Sequence, residues 1–135
     1  MFRKATQISI ALSLLAAGAV YGEVVVVVNP QSAAASMTAD QVADVYLGKS
    51  SSLSPVDLPE SSEVRTEFYK KIAGKDSAQV KAVWARLVFT GKATPPKEVA
   101  SSADVKKAVA GDAKAIGYME KSAVDGTVKV VFTAP

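Results

Sequence analysis

Within "PVDLPESSEVR" (residues 55–65), Ser61, Ser62 and Arg65 lie where a short strand gives way to the first turn of a helix. A helix start gathers N–H groups that have no intrahelical acceptor, together with the positive end of the macrodipole. Adjacent hydroxyls and a guanidinium make it a natural place for phosphate or sulfate. The same residues also support a simpler reading, in which a serine caps the helix and nothing is bound. Glu60 and Glu63 belong to this stretch as well. A first-turn carboxylate can occupy the field that an anion would use. From these residues alone, both readings stay open.

Other chemistry is narrowed by what the chain lacks. It has neither histidine nor cysteine, which removes Ser-His-Asp hydrolysis, cysteine nucleophiles, disulfides and the usual zinc and copper ligand sets. Glu63 and Glu67 lie one helical turn apart and in principle could share a cation, but Lys70 and Lys71 follow, and such a pair is ordinarily a solvated face. Gly48-Lys49-Ser50 matches the end of a phosphate-binding P-loop. The motif needs a glycine five residues earlier, where Ala43 stands inside a helix, and the triplet ends a helix where a P-loop would begin one. The expectation is therefore a protein without catalytic residues, metal or cofactor. Trp84, at a helical spacing, reads as core, and Tyr46, Tyr69 and Tyr118 as core or rim; none marks a stacking platform for nucleic acid.

The elements that must position the opening stretch follow from periodicity. Arg3 and Lys4, the apolar run from Ile8 to Val20 and the small residues after it have the layout of a secretory signal peptide, with cleavage after Ala19 or Gly22. Residues 1–22 are read as that signal and 23–135 as one α/β domain. The net charge of +3 includes Arg3 and Lys4; without them acids and bases nearly balance, so there is no electrostatic case for nucleic acid or an anionic surface. "VVVVV" (24–28) reads as a central strand buried on both sides. Thr38 and Gln41 form a capping box for a helix that Gly48 stops, and "PVDL" is a second strand. One helix starts near Ser62 and ends at Gly74. Asp76 or Ser77 caps the next, in which Val80, Val83, Trp84, Leu87 and Val88 give the clearest amphipathic pattern in the chain. "FTGKATPPKEV" reads as loop, "SADVKKAVAG" as helix, and "AIGYM" and "TVKVVF" as strands, the last following an Asp125-Gly126 turn. Alternating strands and helices predict a mostly parallel sheet with helices on both faces.

Several of these segments together resemble a known family. "MTADQVADVYLGKSSSLSPVDL", the serine-bearing helix start, "KAVWARLVFTGKATPP" and "AIGYMEKSA" are similar to the periplasmic phosphate-binding proteins that feed phosphate ABC transporters, and more closely to small exported proteins that keep one part of that PstS-like, type 2 periplasmic-binding fold. The resemblance spans nearly all of Val24 to Val131. "VADVYLGK" and "AIGYME" are its most specific pieces. It implies a single periplasmic-binding-protein-like lobe, located in the periplasm and without enzymatic activity. In the full-size family two lobes close over phosphate, one of them contributing an arginine at a strand end and a Ser-Gly-Thr group at the next helix start. Position by position, the arginine falls on Leu58, the serine on Ser62, the glycine on Glu63 and the threonine on Val64. Only Ser62 matches. Ser61 replaces a glycine, and Arg65 lies on the helix instead of the strand.

The resemblance thus implies a ligand site at Ser61, Ser62, Glu63, Val64 and Arg65 for phosphate or a similar oxyanion, bound weakly because Leu58 supplies no guanidinium and Glu63 adds like charge. A single lobe has no clamshell, so tight capture needs a second wall, from another chain or from a homodimer. The competing reading is a degenerate lobe that docks a periplasmic or inner-membrane protein as an interaction or sensory module. If the Glu63 carboxylate obstructs the site, Glu63→Gly raises phosphate affinity in a calorimetric titration. Unchanged or lower affinity would remove Glu63 as the obstruction.

Overall fold

Five consecutive β-branched residues form the strand around which the rest assembles. The computed structural model describes residues 23–134; the segment read as a signal peptide lies outside the described residues. Strand β1 (Val24–Val28) has every valine buried, as the unbroken run predicts. It joins β2 (Ser54–Asp57), β3 (Lys97–Glu98), β4 (Ala115–Glu120) and β5 (Lys129–Ala134) in one sheet of order β3-β2-β4-β1-β5.

Strand direction gives the sheet its character. β2 is parallel to β3 and to β4, whereas β1 is antiparallel to both β4 and β5. β1 alone therefore runs against the other four strands. The expected α/β sheet holds in that sense, with the parallel ladders in the β3-β2-β4 half and a register shift between Val26 and Val27 opposite β5. Strand β3 lies in the segment that reads as loop. Pro95-Pro96 leads into it, and the Val99 N–H donates to the Asp57 carbonyl at 2.9 Å, which extends the pairing to β2.

The helices are α1 (Ala39–Tyr46), α2 (Glu63–Ala73), α3 (Ser77–Phe89) and α4 (Ser102–Ala110). Thr38 and Asp76 close capping boxes with Gln41 and Gln79, and Ser62 and Ser101 cap α2 and α4. Gly74 ends α2 in the left-handed region, φ 64°. Helix α4 covers one sheet face. A Cβ added at Gly117 of β4 would lie 2.5 Å from Val105 Cγ1 and 3.0 Å from Val109 Cγ2 of that helix. The opposite face carries Tyr118 of β4 against Tyr46 of α1 and Phe68 and Tyr69 of α2, with the Phe68 and Tyr118 rings stacked at 3.8 Å. All four rings are buried, so the three tyrosines are core.

Helix α3 departs from its sequence pattern. Of its apolar stripe only Val80 is fully buried; Val83, Trp84 and Leu87 are half-buried, and Val88 and Phe89 are 50% and 90% exposed. The reason is its seat. α3 rests on the end of α1, where Gly48 (φ 80°) leaves room for Leu87 and Trp84, and the Trp84 indole N–H donates to the Tyr46 carbonyl at 2.9 Å. Trp84 is accordingly a half-buried rim residue and not core. The close approach of α4 to β4 predicts that Gly117→Ala overpacks this contact and destabilises the fold by about 1–3 kcal/mol, to be read as a lowered urea midpoint at unchanged m-value.

Candidate functional site

The opening stretch folds as β2, a turn, and α2. The Ser62 N–H donates to the Pro59 carbonyl at 2.9 Å, which closes the turn, and Ser62 (φ −74°, ψ 128°) then caps α2 by accepting from the Arg65 N–H at 3.2 Å. Ser62 therefore fulfils the capping reading. Its hydroxyl proton is not consumed by that bond. Ser61 and Glu63 are exposed, Ser62 and Arg65 partly buried, and Val64 points into the core, so that Val64 has only its backbone to offer. The five residues singled out from sequence do converge on one helix start.

The centre of the site is a residue that the sequence reading passed over. Asp57, the last residue of β2, is 5% exposed. Its Oδ2 accepts from the Tyr69 hydroxyl at 2.6 Å; its Oδ1 accepts from the Tyr118 hydroxyl and from the Leu58 N–H at 2.8 Å. Arg65 Nε lies 3.5 Å from Oδ1 without a hydrogen bond and is itself shielded from water. The guanidinium carbon lies 5.3 Å from the centre of the Tyr69 ring, a cation–π distance. Arg65, expected to be the counter-charge for a ligand, is thus already the counter-charge of Asp57. The available signal was an acid set between Val56 and Leu58 in a strand, with no polar alternation around it.

Burial, then the negative charge of Asp57, then the hydrogen bond to it push the Tyr69 and Tyr118 phenols far above their ordinary range. Tyr46 is raised by burial first and by Asp57 second, and its hydroxyl is placed to donate to the carbonyls of Val56 and Ile116 at 2.9 and 3.1 Å. These phenols act as neutral donors.

Beside Asp57 opens a cleft of about 430 Å³ lined by Glu60 and Arg65, by Lys81 and Trp84 of α3, and by Pro96 and Glu98. Three carboxylates and two cations border it. A fully deprotonated anion would meet more like charge than opposite charge there. An oxyanion that still carries a proton can instead donate to a carboxylate while accepting from Arg65 and Lys81.

No family model and no curated protein matches the chain. Among solved structures, an ABC-type phosphate transport receptor from Vibrio cholerae superposes with a TM-score of 0.64 at 19% identity, over 81% of this chain and 45% of that one. A putative phosphate ABC transporter substrate-binding protein with bound phosphate from Clostridium perfringens gives 0.66 at 20%, over 81% and 44%. PstS from Borrelia burgdorferi gives 0.61 at 11%, over 81% and 46%. The chain has the fold of these phosphate-binding proteins. It spans less than half the length of each, and the PstS-like resemblance read from the sequence is met at the level of fold. Among the described residues no helix is long and apolar enough to cross a membrane.

Two measurements check the buried cluster. Tyr118→Phe removes one donor from Asp57 and lowers stability by about 1–3 kcal/mol in urea titration. With the phenols raised in the folded state, the unfolded chain ionises first, so stability falls as pH climbs above about 10. In the chain from Glu23 onward, whose tyrosines are Tyr46, Tyr69 and Tyr118, the tyrosinate absorbance then appears together with the loss of tertiary circular dichroism and not before it.

Proposed function

We propose that this chain is an exported lobe that binds phosphate, or a closely related protonated oxyanion, weakly at the amino end of α2. The supporting observation is the guanidinium of Arg65, one turn after the Ser62 cap, which is tethered loosely to Asp57 at 3.5 Å and lines the cleft together with Lys81; Ser61 to Val64 are not among the residues that line it. The phosphate-binding proteins that share the fold make phosphate the first ligand to test. In this reading residues 1–22 are a signal peptide, the domain is 23–135, and the protein works in the periplasm as a binding protein without a catalytic step. The Asp57, Glu60 and Glu98 carboxylates then favour phosphate, which keeps a proton near neutral pH, over sulfate, which does not. Affinity is modest because Arg65 is shared with Asp57, Leu58 offers no second guanidinium, and one lobe encloses only one side of the ion.

One observation favours a second reading. Val88 and Phe89 are exposed at the end of α3, an apolar surface that suits contact with a periplasmic or inner-membrane protein or a second copy of the chain. Calorimetric titration of the purified chain with phosphate and then sulfate separates the two. The binding reading expects a phosphate Kd on the order of 0.1–1 mM, weaker sulfate binding, and about a 3- to 10-fold loss in Ser62→Ala. Arg65→Lys, which keeps a charge beside Asp57 but loses the planar fork, weakens phosphate further. Absence of heat beyond dilution at millimolar phosphate would reject it in favour of the docking reading.

A further inference from the structure

Besides the α2 cleft, the chain has a hollow of about 650 Å³ at the amino end of β2, between the segment that follows α1 and the segment that follows α3. Its wall holds Lys49, Lys92 and Lys97, the hydroxyl residues Ser50 and Ser54, and the Trp84 ring. No lining residue carries a carboxylate. Among the described residues, none of these three lysines takes part in an ion pair, although Lys71, Lys106 and Lys121 do. The chain between Asp76 and Glu98 contains Lys81, Arg86, Lys92 and Lys97 and no acid at all. Three cations without ion-pair partners around one concavity produce a focused positive potential, a local asymmetry that the near-balance of charge over the whole chain conceals and that corrects the expectation of no attraction for an anionic surface.

The geometry points to a second anion site here, one that takes a multivalent phosphate-bearing group. Lysine ammonium groups are compact charges suited to phosphate oxygens. Ser50 and Ser54 add hydroxyl donors, and the Trp84 ring gives an apolar wall for whatever carries the phosphates. The volume lies in the range of small-ligand pockets. The hollow is built by local structure. Gly48 turns the chain at the end of α1, the Lys49 and Ser50 N–H groups fold back onto the Asp44 carbonyl at 2.8 and 3.0 Å, and Trp84 closes over that turn. The Gly48-Lys49-Ser50 triplet thus contributes to an anion-attracting surface through its lysine side chain and not as a P-loop. The site lies one strand length from Asp57, roughly 10 Å for a four-residue strand, and its nearest acids, Asp44 and Asp112, face the adjoining hollows and are not part of its wall.

Two sources carry such a group, a soluble polyphosphate ester and an anionic lipid headgroup, and two arms distinguish them. Inorganic pyrophosphate is titrated into the chain at low salt, and flotation is measured with phosphatidylglycerol vesicles against phosphatidylcholine vesicles. The expected result is saturable binding in at least one arm. That binding drops about tenfold in Lys49→Gln/Lys92→Gln/Lys97→Gln and also drops in Thr94→Glu, which introduces a carboxylate on the rim. A control with the same net charge, Lys70→Gln/Lys75→Gln/Lys107→Gln, keeps it within about twofold. Pyrophosphate binding alone names a soluble ligand, and vesicle binding alone names a headgroup. Absence of both, or equal losses in the lysine triple and its control, overturns the site. Because phosphate titrated into Lys49→Gln/Lys92→Gln/Lys97→Gln reports on the α2 cleft alone, failure here and failure of the phosphate reading are separate outcomes.

Discussion

A carboxylate removed from water costs several kcal/mol unless its lone pairs are satisfied, and the Asp57 environment is organised to satisfy them. Tyr118 reaches it from β4, Tyr69 from the second turn of α2, and Leu58 from the backbone just beyond. These donors belong to different elements, so the carboxylate ties the end of β2 to the neighbouring strand and to the helix that follows. Arg65, one turn before Tyr69 on α2, adds the balancing charge. This cluster and the buried Val64, Phe68 and Ile72 together set the position of the α2 amino end, and hence of any anion held there.

The same cluster also commits the arginine at the α2 start. A free arginine would be the strongest anion donor on this helix start, but its charge is needed by Asp57. Mutual neutralisation leaves the Ser61 and Ser62 hydroxyls beside a weakened charge, since the Ser62 and Arg65 N–H groups already donate to the Pro59 carbonyl and to Ser62 Oγ. Such donors give geometric selectivity for an oxyanion with little long-range attraction. The second hollow has the opposite character, with abundant charge.

Local signals were legible in the sequence wherever one residue determines one conformation. Thr38, Ser62 and Asp76 cap the helices they were expected to cap, Gly74 takes its left-handed turn, and the valine run is the buried strand inside the sheet. The convergence of Ser61 to Arg65 on one helix start was legible for the same reason. What escaped depends on contacts distant in sequence. The partners of Asp57 lie 12 and 61 residues away, and no periodicity encodes such a pairing. Strand β3 is only two residues long and exists because β2 offers it an edge. The stripe on α3 was real, but periodicity reports that a face is apolar and not whether a sheet or merely a helix end will cover it.

Trp84 is the only tryptophan in the chain, and it borders both the cleft beside Asp57 and the lysine hollow. Its indole N–H is fixed to the Tyr46 carbonyl while the ring remains half-buried, so its emission responds to dielectric and charge on either side without freedom to rotate away. The fold thereby carries a native fluorophore in the partition between two compartments. An uncharged quencher would reach it through whichever compartment stands open, and an iodide quencher would be enriched on the lysine side. Comparing the two gives an optical map of the local potential that needs no label and no substitution.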